Sequence, residues 1–100
     1  MFFIWDDWNF DHLEKHQVEP LEAEYVARYP KKPYPRSIGS GKWLVRGRTL
    51  GNRQLQVIYV KKNADEIEFS LLTKLEQVEL LEGEAAVYVI HARDLRRGEK

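Results

Sequence analysis

The chain predicts an α+β fold, and three observations carry that reading. Two β-prone runs, residues 42–49 and 54–61, flank Leu50-Gly51-Asn52-Arg53, whose Gly-Asn pair suits a hairpin turn. Two short segments with helix-start signals precede this hairpin, and a further strand-like run, residues 87–92, follows it. With 100 residues, 43% of them hydrophobic, the chain has the size and composition of a single globular domain, residues 1–100.

Residues 2–5 are aromatic and β-prone, which predicts a short strand or a packed N-terminal arm. Asp6 and Asp7 end it, and either carboxylate caps a helix running to about His16, with Trp8, Leu13 and His12 turned inward. Pro20 fits the first turn of a second helix, to about Tyr29, with Leu21, Tyr25 and Val26 as its apolar face, Glu22 and Glu24 near its positive end, and Pro30 as its stop. Residues 30–41 hold three prolines, two glycines and two serines, the composition of a loop. Alternation in the first hairpin strand puts Leu44, Arg46 and Arg48 on one face and Trp43 and Val45 on the other. Residues 66–71 alternate like a strand, whereas Leu71, Leu75 and Val78 have helical spacing. Thr73-Lys74-Leu75-Glu76 matches a capping box and Gly83 a helix stop. After the strand at 87–92, Asp94 is a candidate cap for a short C-terminal helix through Arg96 and Arg97.

Charge is arranged in blocks. Lys plus Arg and Asp plus Glu each total 16, yet residues 31–62 carry nine cations and no carboxylate. Residues 1–30 carry seven acids against two cations, and residues 63–86 seven against one. Such a basic block either pairs with the acidic blocks on folding or offers cations to phosphates. Tyr29, Tyr34, Trp43 and Tyr59 are interleaved with its cations, the mixture that grips single-stranded nucleic acid. If residues 65–84 folded over the hairpin, their acids would mask that surface. The alternatives for this segment are an extended hairpin, or a helix that adds core and a homodimer contact.

No apolar stretch is long enough to span a membrane, and the N-terminus lacks the basic start and apolar run of a signal peptide, which predicts a cytoplasmic protein away from membranes. The absence of Cys removes disulfides and thiol nucleophiles and fits a reducing compartment. His12 and His16, four apart, allow three readings: two ligands of a metal site, one packed and one surface histidine, or His16 facing substrate as an acid or base. Glu14 stands third rather than second in His12-Leu13-Glu14-Lys15-His16 and no third ligand is evident, so no metal or other cofactor is expected. Gly39-Ser40-Gly41-Lys42 is no phosphate loop, because Trp43 stands where Ser or Thr is needed and a strand follows. Pro30-Lys31-Lys32-Pro33 has polyproline-ligand spacing but reads as structured loop.

Three stretches carry a family resemblance. Trp5-Asp6-Asp7-Trp8-Asn9, His12-Leu13, His16, Val18, Glu22 and Glu24 resemble the opening of the BrnT family of toxins. Residues 41–49 look like that family's first long hairpin strand, and residues 87–95, with His91-Ala92-Arg93, like its last strand. The resemblance implies a RelE-like fold: an antiparallel sheet, N-terminal helices packed on it, and a C-terminal helix, here short. It implies a metal-independent endoribonuclease toxin neutralised by a ribbon-helix-helix, BrnA-like antitoxin. Under it, residues 62–86 are an acidic insertion between the last two core strands. Cleavage by a ribose 2′-hydroxyl needs proton movers, for which His16 and His91 are candidates, and cations on the phosphate, for which Arg48 and Arg93 are candidates. Lys15, Lys31, Lys32, Arg36, Arg46 and Arg96 are the further RNA-binding cations, with Tyr34 and Tyr88 as base stackers. The competing expectation is a binding module for RNA or a protein partner that lacks turnover.

Overall fold

A computed structural model describes residues 1–62, 67, 70, 72–83 and 85–99. The chain runs β1 (Phe2–Ile4), α1 (Asp7–Glu14), α2 (Pro20–Arg28), β2 (Arg36–Ser37), β3 (Lys42–Arg48), β4 (Gln54–Lys62), α3 (Lys74–Leu81) and β5 (Ala86–Asp94). The described strands form a five-stranded sheet in the order β1-β5-β4-β3-β2. It is α+β as expected, but the sheet is mixed rather than antiparallel, because β1 runs parallel to β5 while the other neighbours are antiparallel. The cause is local: Phe2 N–H bonds to the Ala85 carbonyl oxygen and the short aromatic strand continues along the outer edge of β5.

Helices α1 and α2 pack on the sheet, α1 against β5 and α2 against β3 and β4. Between them and the sheet lie Leu13, Val18, Ala23, Val26, Ala27, Val45, Leu55, Val57, Tyr59, Val87, Val89 and Ala92, all buried. Leu13 and Val26 face inward as the helical patterns suggested, but other inward residues differ from the expected ones. Trp8 is 50% exposed and Leu21 75% exposed, while Asn9, Ala23 and Ala27 are buried. Asn9 can be buried because its polar atoms are satisfied: its amide donates to the Ile4 carbonyl at 2.9 Å and its Oδ1 accepts from the Asp6 N–H at 2.8 Å. The Asp6 carboxylate completes the capping box by accepting from the Asn9 N–H at 3.1 Å. In α2 the small alanines let the helix lie close to the sheet. Its end reaches Gly47 of β3, where a side-chain carbon would meet Val26 Cγ1 at 3.3 Å and the Tyr29 carbonyl oxygen at 3.4 Å.

The hairpin forms where expected, with Asn52 rather than Gly51 taking the left-handed turn conformation at φ 70. The 30–41 loop contains the two-residue strand β2, paired with Trp43 and Leu44. Thr73 and Glu76 cap α3 reciprocally, and Gly83 follows at φ 83. The strand-like reading of 66–71 falls outside the described residues except for 67 and 70.

At the C-terminal end the short helix through Arg96 and Arg97 does not form among the described residues; a turn takes its place, closed by Glu99 N–H to the Arg96 carbonyl. Asp94 is the last residue of β5, and its carboxylate is held by Arg53 at 2.6 and 2.9 Å, so it does not cap the backbone that follows. Gly98, at φ 88, then turns the chain so that Glu99 reaches back to the sheet.

Candidate functional site

Strand β5 changes sides halfway along. Tyr59 pairs with Val89 and Ile58 with His91, leaving Ile90 as an extra residue. Strict alternation from Val87 and Val89 would carry His91 and Arg93 into the core. The bulge instead sends Ala92 to the apolar face, opposite Val57, and lines up His91 with Ile58 and Leu44, and Arg93 with Gln56 and Arg46, on the other face.

The first helix brings the imidazoles to this strand. Trp8 and His12, one turn apart on α1, stack at 3.9 Å, and Trp8 lies 6.3 Å from the Tyr88 ring. Beyond the helix, the N–H groups of His16 and Val18 both bond to the Leu13 carbonyl and Gln17 adopts φ 56. This tight exit sets the His16 ring edge-on to His91, with centroids 5.3 Å apart. Burial pushes His91 below its ordinary pKa, and the neighbouring charges of His16, Arg93, His12 and Arg96 push the same way. His12 and His16 thus both lie near enough to His91 to affect its charge. Among the described residues no group of three or more His, Cys, Asp or Glu side chains is arranged to hold a metal ion.

Next to the imidazoles two guanidiniums converge. Arg46 donates through Nε and Nη2 to Gln56 Oε1 at 3.0 and 2.8 Å, so the buried glutamine on the intervening strand aims it. Arg93 forms a two-point contact with Glu99, Nη1 to Oε1 at 2.7 Å and Nη2 to Oε2 at 2.9 Å. The same carboxylate lies 3.4 Å from Arg46 Nη2. These contacts, Arg93 foremost, hold Glu99 down to a pKa of about 2, and Arg93 is raised in return.

Not every candidate joins this locus. Lys15 caps the C-terminal end of α1 beside His16, and Arg96 lies close enough to His91 to affect its charge. Tyr88 donates its hydroxyl to both Asp6 oxygens at 2.8 and 2.9 Å and has the Lys62 ammonium 5.4 Å from its ring centre. Burial first and the Asp6 bond second raise its pKa to about 12, so the phenol keeps its proton. Tyr34 has the cations of Arg36 and Arg46 at 5.4 and 5.7 Å. Lys31 and Lys32 are exposed on the loop, and Arg48 bonds Asn52 Oδ1 at 2.8 Å at the turn end of the hairpin.

Sequence reasoning missed Gln56, Glu99 and the use made of Arg53. A glutamine facing Arg46 across a hairpin is a readable signal once register is known; no spacing rule points to Glu99. Arg53 is a fastener. It binds Asp94 at two points, Glu22 at 3.1 Å, and the carbonyl oxygens of Gln17 and His16 at 2.7 and 3.3 Å, which holds the chain just beyond α1 in place. The Asp94 carboxyl is accordingly lowered. In the described part of the acidic segment, Glu79 of α3 is near enough to the N-terminal ammonium to raise its pKa, against a net lowering by burial and Arg28.

Compared with known proteins, the chain matches no protein-family model and no curated protein. Among the described residues no helix is long and apolar enough to cross a membrane.

Proposed function

We propose that this protein is a BrnT-like, RelE-like endoribonuclease toxin that cleaves RNA without a metal ion. One observation carries the reading: His91, Arg93 and Arg46 share one face of the sheet, with the two guanidiniums on one anion and the His16 ring edge-on to His91 at 5.3 Å. The resemblance at residues 5–24, 41–49 and 87–95 supplies the family and, with it, the ribbon-helix-helix antitoxin as protein partner.

The chemistry assigns the roles. In cleavage the ribose 2′-oxygen bonds to the adjacent phosphorus, the 2′-hydroxyl proton passes to a base, and the bond to the 5′-oxygen breaks as that oxygen gains a proton. His91, held below the ordinary histidine pKa, is neutral at neutral pH and takes the 2′-proton. His16, whose ring meets it edge-on, supplies the proton to the leaving oxygen. Arg93 and Arg46 carry the charge that builds on the phosphoryl oxygens, where a guanidinium fork matches two oxygens at once. Gln56 keeps Arg46 aimed.

Purified protein incubated with RNA in excess EDTA should cleave it and leave 2′,3′-cyclic phosphate ends, and Arg93→Ala or His16→Ala should lose the activity. EDTA-sensitive cleavage, or none by the parent at high enzyme concentration, counts against the proposal. The competing reading is a binding module without turnover. The Glu99 carboxylate seated on Arg93 favours it, since a phosphate has to displace that group.

A further inference from the structure

Two arginines from non-adjacent strands reach the same carboxylate, and the carboxylate comes from a surface turn rather than from the sheet. We propose that Arg46 and Arg93 form a phosphate clamp and that Glu99 is its built-in occupant, which leaves when a phosphate group of RNA enters. The RNA part rests on the ribonuclease reading above; the clamp itself does not.

The fork geometry supports the exchange. Glu99 presents its two oxygens to the two terminal nitrogens of Arg93 at 2.7 and 2.9 Å, the arrangement in which a guanidinium also takes two oxygens of a phosphate. Arg46 stands 3.4 Å from Oε2, so an anion whose oxygens are arranged tetrahedrally can turn oxygens toward both arginines. Gln56 holds Arg46 ready whether or not Glu99 is present.

The occupant can leave without opening the core. Arg96, Arg97 and Gly98 are exposed, and the turn is closed by the Glu99 N–H bond to Arg96 and by the Arg96 N–H on the same carboxylate. Beside Glu99 lies a depression of about 410 Å³ lined in part by Asn52, Gln54, Arg96 and Arg97, room for the nucleotide attached to a bound phosphate. As a tethered ligand Glu99 competes at an effective concentration in the millimolar range or above, which weakens every external anion by the same factor. The mask that the sequence pattern suggested for residues 65–84 rests largely on Asp65, Glu66, Glu68 and Glu84, which lie outside the described residues; among the described residues the carboxylate on the Arg46–Arg93 pair belongs to Glu99.

The test titrates inorganic phosphate, at matched ionic strength, into the parent chain and Glu99→Gln, following the Nε–H resonances of Arg46 and Arg93 by NMR. The variant should bind phosphate at least about tenfold more tightly, and adding Arg93→Lys should remove that gain. An unchanged affinity in Glu99→Gln, or a gain that survives Arg93→Lys, overturns the clamp. A second measurement needs no variant: phosphate, but not equal chloride, should shift the Arg93 Nε–H signal of the parent, and no shift overturns the clamp as well. A short single-stranded RNA followed by fluorescence anisotropy separates the two claims. Tighter phosphate binding with unchanged RNA binding would retain the clamp and overturn RNA as its ligand.

Discussion

The two faces of the sheet are built from the same strands and hold opposite kinds of side chain. The face under α1 and α2 carries Val45, Leu55, Val57, Tyr59, Val89 and Ala92, packed with no charge among them. The other carries Arg46, Gln56, Arg93 and His91, joined by directional bonds and held in place by partners from outside the strands. On the apolar face stability comes from area and fit. On the charged face position matters more than energy, because partly exposed ion pairs contribute little to folding. Damage to the first should therefore unfold the protein, and damage to the second should leave it folded and inactive.

The largest effect should fall on chemistry. Arg93→Ala is expected to slow RNA cleavage about 10²-fold to 10³-fold, some 3–4 kcal/mol of transition-state stabilisation, while the denaturation midpoint barely moves. A collapse of stability in that variant would break the division between the faces. On the apolar face, Leu55→Ala should cost about 3 kcal/mol in urea unfolding because it leaves a cavity in a fully buried layer. Asn9→Ala should cost about 2 kcal/mol, since it removes one half of the capping box and leaves the Ile4 carbonyl without its partner.

The smallest effect is a pH dependence. His91 is lowered from 6.5 in the folded chain, so the unfolded chain binds its proton more readily. Its contribution to stability should be complete above pH 6.5 and decline as the pH falls toward the lower folded value. His91→Asn should flatten that part of the stability profile. A parent profile already flat between about pH 5 and 6.5 would mean that this histidine stands in water like any other.

How much of this was legible follows from the range of the forces involved. Capping at Asp6, Pro20 and Thr73, and the hairpin around residues 50–53, are local, and each formed near its predicted place. The inward faces of the helices were legible at Leu13 and Val26, but size and hydrophobicity also point to Trp8 and Leu21, which are exposed, and pass over the small Ala23 and Ala27, which are buried. The candidate locus was legible in its residue types and not in its assembly. His16, His91 and Arg93 stand out one by one in the sequence, but only the register of β4 against β5 puts His91 and Arg93 on one face, and only the tight exit of α1 brings the His16 ring to His91. Glu99 was out of reach, since its place depends on a turn that replaced an expected helix.

The extra residue at Ile90 has a consequence for ancestry. Two buried positions before it and one after follow the spacing Val87, Val89, Ala92, and the bulge that takes up this three-residue step keeps His91 and Arg93 off the core side. Descendants of this chain can lengthen or shorten the stretch between β4 and β5 at little cost. Losing one residue between Val89 and Ala92 would restore plain alternation, with Ala92 still inward and Arg93 still outward, so a relative can drop the bulge together with the residue, whereas one that keeps the odd interval has to keep the bulge as well.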